Sequence, residues 1–431
     1  MCDEHSGRRY DEMLAAGPRA ASMRAVPSRL GFLDLLQNGR GRVLWFCWLG
    51  WVFDFHDLIL FSFCKRAIAA DLQLDGSLLA WIEGLSLFAS AVGGLVFGRI
   101  ADRIGRRRAM SASILVYSAG ALLTGIADGT AALLLARMLA GFGIGGEWGI
   151  GHAVIRETFE GKDRDRAHGL LQAGGPVGMA LAACTGLFLA PSIGWRTVFL
   201  LSALPALLVF FARWAMPDSI AAQRAKPAAL PASALFAPAH RRATIVLFSI
   251  LVLHMTGFWC VYAELPNALM RDLGVSAGDA GRYQLVVNGA HIVADIAFGV
   301  IAAGIGRGRA FVAFCTFFAV AQLLFAASWG ALTANLAIFT FAAAAMGFGA
   351  GTWSCFGALF GAHYPVALRA TAASLLYSCS RGAQLFAKPG SHALSEWHGS
   401  MQPALWVGAA CAVASAALYA ALPTPRDDAA S

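Results

Sequence analysis

Charge is scarce in this sequence: Asp, Glu, Lys and Arg make up only 13% of its 431 residues, against 58% hydrophobic residues and a mean hydropathy of +0.62. That balance excludes an ordinary soluble domain and describes a chain that crosses a membrane many times. Cysteine pairs at CxxC spacing and His/Cys clusters at metal-ligand spacing are also missing. The nine cysteines therefore read as small packing residues, and neither a metal nor a cofactor is expected. A GxxxxGK[ST] phosphate loop is absent, and no polar stretch is long enough to fold around a nucleotide, which excludes direct ATP drive. With no activated nucleophile in view, an enzyme is not expected either. No signal peptide is expected at the amino terminus.

What is present is a series of apolar runs of about 19 to 25 residues, the length a helix needs to cross a bilayer. They lie near 43–64, 78–100, 109–127, 131–155, 169–190, 196–215, 243–265, 283–303, 309–329, 334–361, 371–392 and 403–421. The pattern predicts an all-α integral membrane protein of about twelve transmembrane helices. An Ala- and Pro-rich polar stretch divides them, so the expected organisation is a cytoplasmic tail 1–42, a six-helix bundle 43–215, a cytoplasmic linker 216–242, a second bundle 243–421 and a tail 422–431. With both termini cytoplasmic, about 25 of the 33 Lys and Arg fall on that side, as the positive-inside rule requires of a cell-membrane protein. The formal charge of +8 thus reflects topology and gives no reason to expect nucleic acid. The halves also repeat. Gly98 to Arg108 (GRIADRIGRRR) aligns with Gly299 to Arg309 (GVIAAGIGRGR), while Trp148, Arg164, Leu170 and Leu171 echo Trp353, Arg369, Leu375 and Leu376. Two pseudo-symmetric six-helix bundles related by duplication follow. Asp102 of the first copy meets Ala303 in the second, so the charged device belongs to the first half alone.

Ionisable groups inside the runs are the candidates for function, because each costs roughly 2.5 to 3.5 kcal/mol at mid-bilayer. Asp54, His56 and Asp57 sit in the first run, and the two acids share a helical face at i and i+3. Either they handle protons or substrate, or they are locked to basic residues on a neighbouring helix. Glu147 lies near the middle of the fourth run, and a carboxyl in a low-dielectric cavity can exchange a proton near neutral pH. A pairing with a buried arginine is the alternative for Glu147, and Glu83 is a weaker candidate. Asn288, His291 and Asp295 share one face of the eighth run. Asp54, Asp57, Glu147 and Asp295 are therefore the expected proton-coupling acids. For an anionic substrate the fixed cation is Arg381 in the eleventh run or Arg137 in the fourth, since a guanidinium binds both carboxylate oxygens and stays charged. Arg381 could instead be the standing partner of Asp295, and Arg137 could be structural. His56, Gln172, Trp148, Asn288, His291 and Tyr377 complete the expected substrate contacts. Lone His254 reads as a hydrogen-bonded interior residue, and Trp259 and Trp353 as packing aromatics that could bound a substrate.

GRIADRIGRRR closely resembles the loop signature of the major facilitator superfamily, GxxxDRxGRR. Arg137 with Gly141, Gly143 and Gly145 resembles that family's fourth-span RxxxGxGxG pattern, and the residues at 216–219 resemble its ProGluSer stretch. The resemblance implies the major facilitator fold and a cytoplasmic gate motif built from Gly98, Asp102, Arg103, Gly105, Arg106, Arg107, Glu157, Arg164 and Asp218. The stretch 54–57 resembles the AspGlyTyrAsp pattern of aromatic-acid proton symporters, with Phe55 and His56 replacing Gly and the aromatic residue. GGEWGIG at 145–151 is closer to the sialate, lactate and metabolite proton symporters. What this implies is a secondary active transporter: proton-coupled uptake of a small organic acid by alternating access, in a monomer, driven by the proton gradient. Drug/proton antiport is the alternative within the superfamily, because the stretch 174–178 resembles the GPxxGG segment of drug exporters. A non-transporting membrane sensor is the remote one.

Overall fold

The computed structural model describes residues 39–159, 161–205, 207–209, 232–332 and 335–422. The expected tails before residue 39 and after residue 422, most of the linker and Asp218 lie outside the described residues. Apart from the first turn of α1, everything below belongs to one unit, Val43–Ser431. All regular structure among the described residues is helical. In the first half α1 is Gly39–Leu72, α2 Gly76–Ile104, α3 Arg106–Gly125 and α4 Thr130–Thr158. Helix α5, Gly161–Ala183, continues through a wide turn at Cys184–Leu189 into Ala190–Ile193, and α6 begins at Trp195–Ser202. In the second half α7 is Arg241–Val261, extended beyond a turn by Leu265–Asp272, followed by α8 Ala277–Ile305 and α9 Arg307–Ala327. Next come α10, Leu336–Gly349, running on through Ala350–Cys355 into Phe356–His363, and α11, Val366–Gly382, continued by Gln384–His398. Helix α12 is Gln402–Tyr419.

Nine helices among the described residues are long and apolar enough to cross a membrane. The other three spans have visible reasons for falling short. Helix α3 opens on Arg106, Arg107 and Arg108, α6 is short within the described residues, and α11 is interrupted near Gly382 and carries Arg381 and Lys388. Large apolar side chains such as Leu135, Val300 and Phe341 are left exposed around the bundle, where lipid tails rather than water meet them.

The halves repeat in geometry as well as in sequence. Gly105 closes α2 with φ 93° and ψ 154°, and Gly306 closes α8 with φ 90° and ψ 145°. This left-handed backbone is open to glycine and strained for other residues, and it turns each chain straight into the next antiparallel helix. Arg164 donates from Nε to the carbonyl of Phe159 at 3.0 Å, and Arg369 donates to that of Tyr364 at 2.7 Å. The glycines of α4 and α10 match too. A Cβ on Gly141 would lie 2.2 Å from the carbonyl oxygen of Ser86, and one on Gly347 would lie 2.2 Å from that of Val287. Ser86 and Val287 are separated by the same 201 residues that separate the two loop motifs.

Close backbone approach is thus how the α2–α4 pair packs, in keeping with small residues at membrane helix interfaces. A buried ion pair ties α1 to α4 as well: Arg137 Nη2 lies 3.0 Å from Asp57 Oδ2, with both side chains almost wholly enclosed. The guanidinium also sits over the rings of Phe61 and Phe199, at 4.9 and 5.7 Å.

Two outcomes follow for stability in lipid nanodiscs. Gly145→Ala, whose Cβ would come within 1.9 Å of the Ser90 carbonyl, should lower stability by about 1–3 kcal/mol or more, whereas Gly98→Ala, with its nearest neighbour at 3.7 Å, should leave the melting temperature almost unchanged. Asp57→Asn should cost about 3–5 kcal/mol by stranding the Arg137 charge, and the double substitution Asp57→Leu/Arg137→Met should recover most of it. Equal melting temperatures for Asp57→Asn and the wild type would contradict the pairing.

Candidate functional site

A narrow cavity lies between the two halves. Its first-half wall comes from Phe55 of α1 and from Gln172, Gly175, Pro176 and Met179 of α5. Proline has no amide hydrogen, so Pro176 cannot make the usual intrahelical bond to the carbonyl of Gln172, and both residues line the cavity. The glycines of the 174–178 stretch let α5 press on α1: a Cβ on Gly178 would lie 2.2 Å from the Val52 carbonyl. That packing accounts for the Gly-Gly-Pro sequence without reference to drug export. From the second half come Phe258 and Trp259 of α7, His291 of α8, Trp353 of the α10 continuation, and Tyr377 and Arg381 of α11.

Arg381 is the cation of this cavity. It is buried, and neutral groups hold it: Nη1 donates to Ser90 Oγ and Nη2 to Tyr377 Oη, both at 3.0 Å. Its Nε has no partner among the described residues. Trp51 and Tyr377 present ring faces at 5.8 and 5.0 Å. Ser90 belongs to α2 and Tyr377 to α11, so the guanidinium is positioned by both halves. Asp54 is fully buried and close enough for its charge to act on Tyr377. Asp57, one turn along, is engaged by Arg137. The two first-run acids share a helix but differ in surroundings.

The remaining expected site residues divide by direction. His56 turns towards α5, where its Nε2 meets Thr185 Oγ1 at 2.9 Å. Glu147 turns towards α3 and accepts a 2.5 Å hydrogen bond from Ser113. Asp295 accepts from Ser354 Oγ at 2.9 Å and stands 3.8 Å from His291 Nε2, so its contacts are with these two rather than with Arg381. Asn288 is buried and accepts from Gln284 Nε2 at 3.0 Å. His254 is bonded to Thr352 at 2.6 Å.

A second narrow chamber shares Gln172, Trp353 and Tyr377 with the first and is bounded by Trp148, His152 and His168. Trp148 and Tyr377, from opposite halves, stack face to face with ring centres 3.7 Å apart and an 8° tilt. His152 and His168 face each other, Nδ1 to Nδ1, at 2.9 Å. Beyond this chamber lies the gate motif. Arg106 is its hub, 2.9 Å from Asp102 and 3.5 Å from Glu157, while Gly98 faces Ser374 of α11. Arg103 is exposed and Arg107 half-buried.

Sequence reasoning named Glu83 as a weaker candidate but missed the constellation it belongs to, at the end of the bundle away from Gly105 and Gly306. Lys65, Glu83, Glu264 and Lys388 converge there from α1, α2, the turn after α7 and α11. The available signal was a lysine inside the eleventh apolar run.

These features can be set beside known proteins. The family model described as Major Facilitator Superfamily matches residues 47–251. A putative metabolite transport protein of Haemophilus influenzae is 31% identical over 351 residues, covering 77% of this chain and 84% of the relative. A probable 4-methylmuconolactone transporter of Cupriavidus pinatubonensis is 32% identical over 244 residues, covering 55% of this chain and 57% of that one, so the match spans little more than half the length of that relative. Among solved structures, that of a D-xylose–proton symporter superposes with a TM-score of 0.72 over 89% of this chain and 98% of its own, at 16% identity, which speaks for the fold alone. The all-α architecture, the repeated halves, the Gly98–Arg108 loop and these matches agree, and the chain belongs to the major facilitator superfamily, as a membrane transporter and not an enzyme.

Proposed function

We propose that this protein couples the uptake of a small carboxylate, ring-bearing acids foremost, to the entry of protons by alternating access between its two halves. The observation that carries the reading is Arg381: a buried guanidinium at the interface of the halves, held by neutral oxygens and facing a cavity walled by aromatic rings. A fixed cation of this kind attracts an anion into a space too dry to hold one otherwise. Flat walls from Phe258, Trp353 and Tyr377 suit a ring by stacking and edge contacts. The relative named for a muconolactone, itself a ring compound, is in keeping with that shape.

Asp54 is the coupling acid in this reading, because it is fully buried and its charge reaches Tyr377, a partner of Arg381, whereas the charge of Asp57 is spent on Arg137. A proton on Asp54 removes its repulsion towards an arriving carboxylate, so proton and anion favour each other's binding. Asp295, with Ser354 and His291, is a second proton station on the opposite half. Arg137 and Glu147 take structural roles within the first half. The basic α2–α3 loop and both chain ends face the cytoplasm of a cell-membrane protein that works as a monomer.

Two measurements in proteoliposomes test this. Arg381→Ala should reduce uptake efficiency for an aromatic acid such as benzoate by about 10- to 100-fold, the loss of a charge-assisted hydrogen-bonded contact worth about 1.5–3 kcal/mol, and Arg381→Lys should restore only part of it. Undiminished acid uptake, or transport of cations only, would overturn the assignment. Asp54→Asn should abolish pH-driven accumulation while leaving acid exchange across the membrane intact. Accumulation at the wild-type level in that variant would remove Asp54 from the coupling role.

A further inference from the structure

The four-charge cluster adjoins the central cavity through Trp259, on the side away from the Gly105 and Gly306 turns. Lys388 Nζ lies 2.9 Å from Glu83 Oε1 and 2.6 Å from Glu264 Oε1, and it reaches the carbonyl of Trp259, a cavity residue, at 3.4 Å. Lys65 Nζ lies 2.9 Å from Glu83 Oε2 and 2.5 Å from Glu264 Oε1. Each ammonium is thus held by two carboxylates, one from each half of the molecule. Ser62 Oγ donates a further hydrogen bond to Glu83, and Asn267 Nδ2 of the α7 extension donates to the Ser62 carbonyl at 2.7 Å. The Lys388 side chain is completely enclosed, while Glu264 keeps 24% of its surface open.

Two positive and two negative charges cancel here, and the way they are shared between the halves decides what opening does. Lys65 and Glu83 would leave with the first half, Lys388 and Glu264 with the second. Each half then carries a neutral pair, so separation strands no net charge, but each lysine loses one of its two carboxylates. The vacated position suits another carboxylate. Lysine fits this task better than arginine, because its compact ammonium on a flexible stem can change partners without having to satisfy a planar fork. The chain has four lysines in all, and two of them meet at this point. Lys388 also lies seven residues beyond Arg381 on α11, about 10 Å along the helix. An anion released at the cluster has the cavity cation two turns away.

We propose that Lys65 and Lys388 form a second carboxylate-binding site, the one an anion meets on entering from the end away from the Gly105 and Gly306 turns, and that Glu83 and Glu264 occupy it in this structure as the chain's own competing ligands. The substrate class rests on the uptake reading above; the site and its closure rest on the cluster alone. Substrate and internal carboxylates exclude each other at the same ammonium groups, so the site acts as both receptor and gate.

Acylation of lysine by a sulfonated N-hydroxysuccinimide ester, read residue by residue by mass spectrometry on the full chain in nanodiscs, tests this without requiring flux. Lys65 and Lys388 should react slowly in the wild type and at least about fivefold faster in Glu83→Gln/Glu264→Gln. Millimolar benzoate should cut the added reactivity by half or more, and this protection should persist when Arg381→Ala is also present. Wild-type reactivity in the double variant would overturn the closure. Absence of benzoate protection, or its loss with Arg381→Ala, would overturn the second site, the latter by placing benzoate in the central cavity. Should the double variant fail to fold, Glu264→Gln alone, at the most open of the four positions, should show the same directions. Protection without acid transport would sink the uptake reading and leave the site standing; acid transport without protection would do the reverse.

Discussion

Moving a charge out of water into a protein interior costs several kcal/mol unless other groups answer it, and the arrangement of this molecule follows from how each buried charge is answered. Asp57 and Arg137 answer each other inside the first half and bind α1 to α4. Glu83, Glu264 and the two lysines answer one another across the halves, where the proposed alternating access would separate them. Arg381 is answered by hydroxyl groups, which stabilise a cation without neutralising it. Three degrees of compensation thus match the three tasks proposed above: a permanent tie, a breakable closure and a place where an anion is wanted. The aromatic faces of Trp51 and Tyr377 soften the cost at Arg381 while leaving the position of a counter-ion open.

Much of the architecture was legible in the sequence because it is written in features that survive without knowledge of neighbours. Run length gave the spans, and the paired loops GRIADRIGRRR and GVIAAGIGRGR gave the duplication, which Gly105 and Gly306 express as matching left-handed turns. The direction of a buried side chain is a different matter. Most of these helices are apolar all round, since one side meets lipid and the other meets protein, so hydrophobic periodicity does not say which face looks inward. Glu147 was legible as a buried acid, but its turn towards Ser113 was not. Asp54 and Asp57 were legible as a pair on one face, yet a three-residue step on a helix was enough to give them different neighbours.

The charge cluster beside the cavity was harder still, because its four members come from widely separated places in the chain and Glu264 lies at a helix break. Pairings between distant positions leave no spacing rule in a single sequence. The glycines offered a partial guide. Gly84 can approach the Leu385 backbone, and Gly382 can approach Ala91, because neither carries a side chain, and these contacts bring α2 against α11 beside the cluster. Small residues on both sides of the interface let the halves come near enough for lysine and glutamate to meet.

The stacked Trp148 and Tyr377 rings stand where the two chambers adjoin, Tyr377 lining both, and each ring belongs to a different half. On the proposed alternating-access reading, a contact made this way would part as the halves move, and its opening would be timed by the motion that moves the cargo. It also acts as a gauge. A flat molecule can slip between the rings and restore the stacking that their separation interrupts, whereas a bulky or strongly puckered one must hold them apart. Size and planarity would then be read during passage as well as at the binding step, giving the carrier a kinetic sieve.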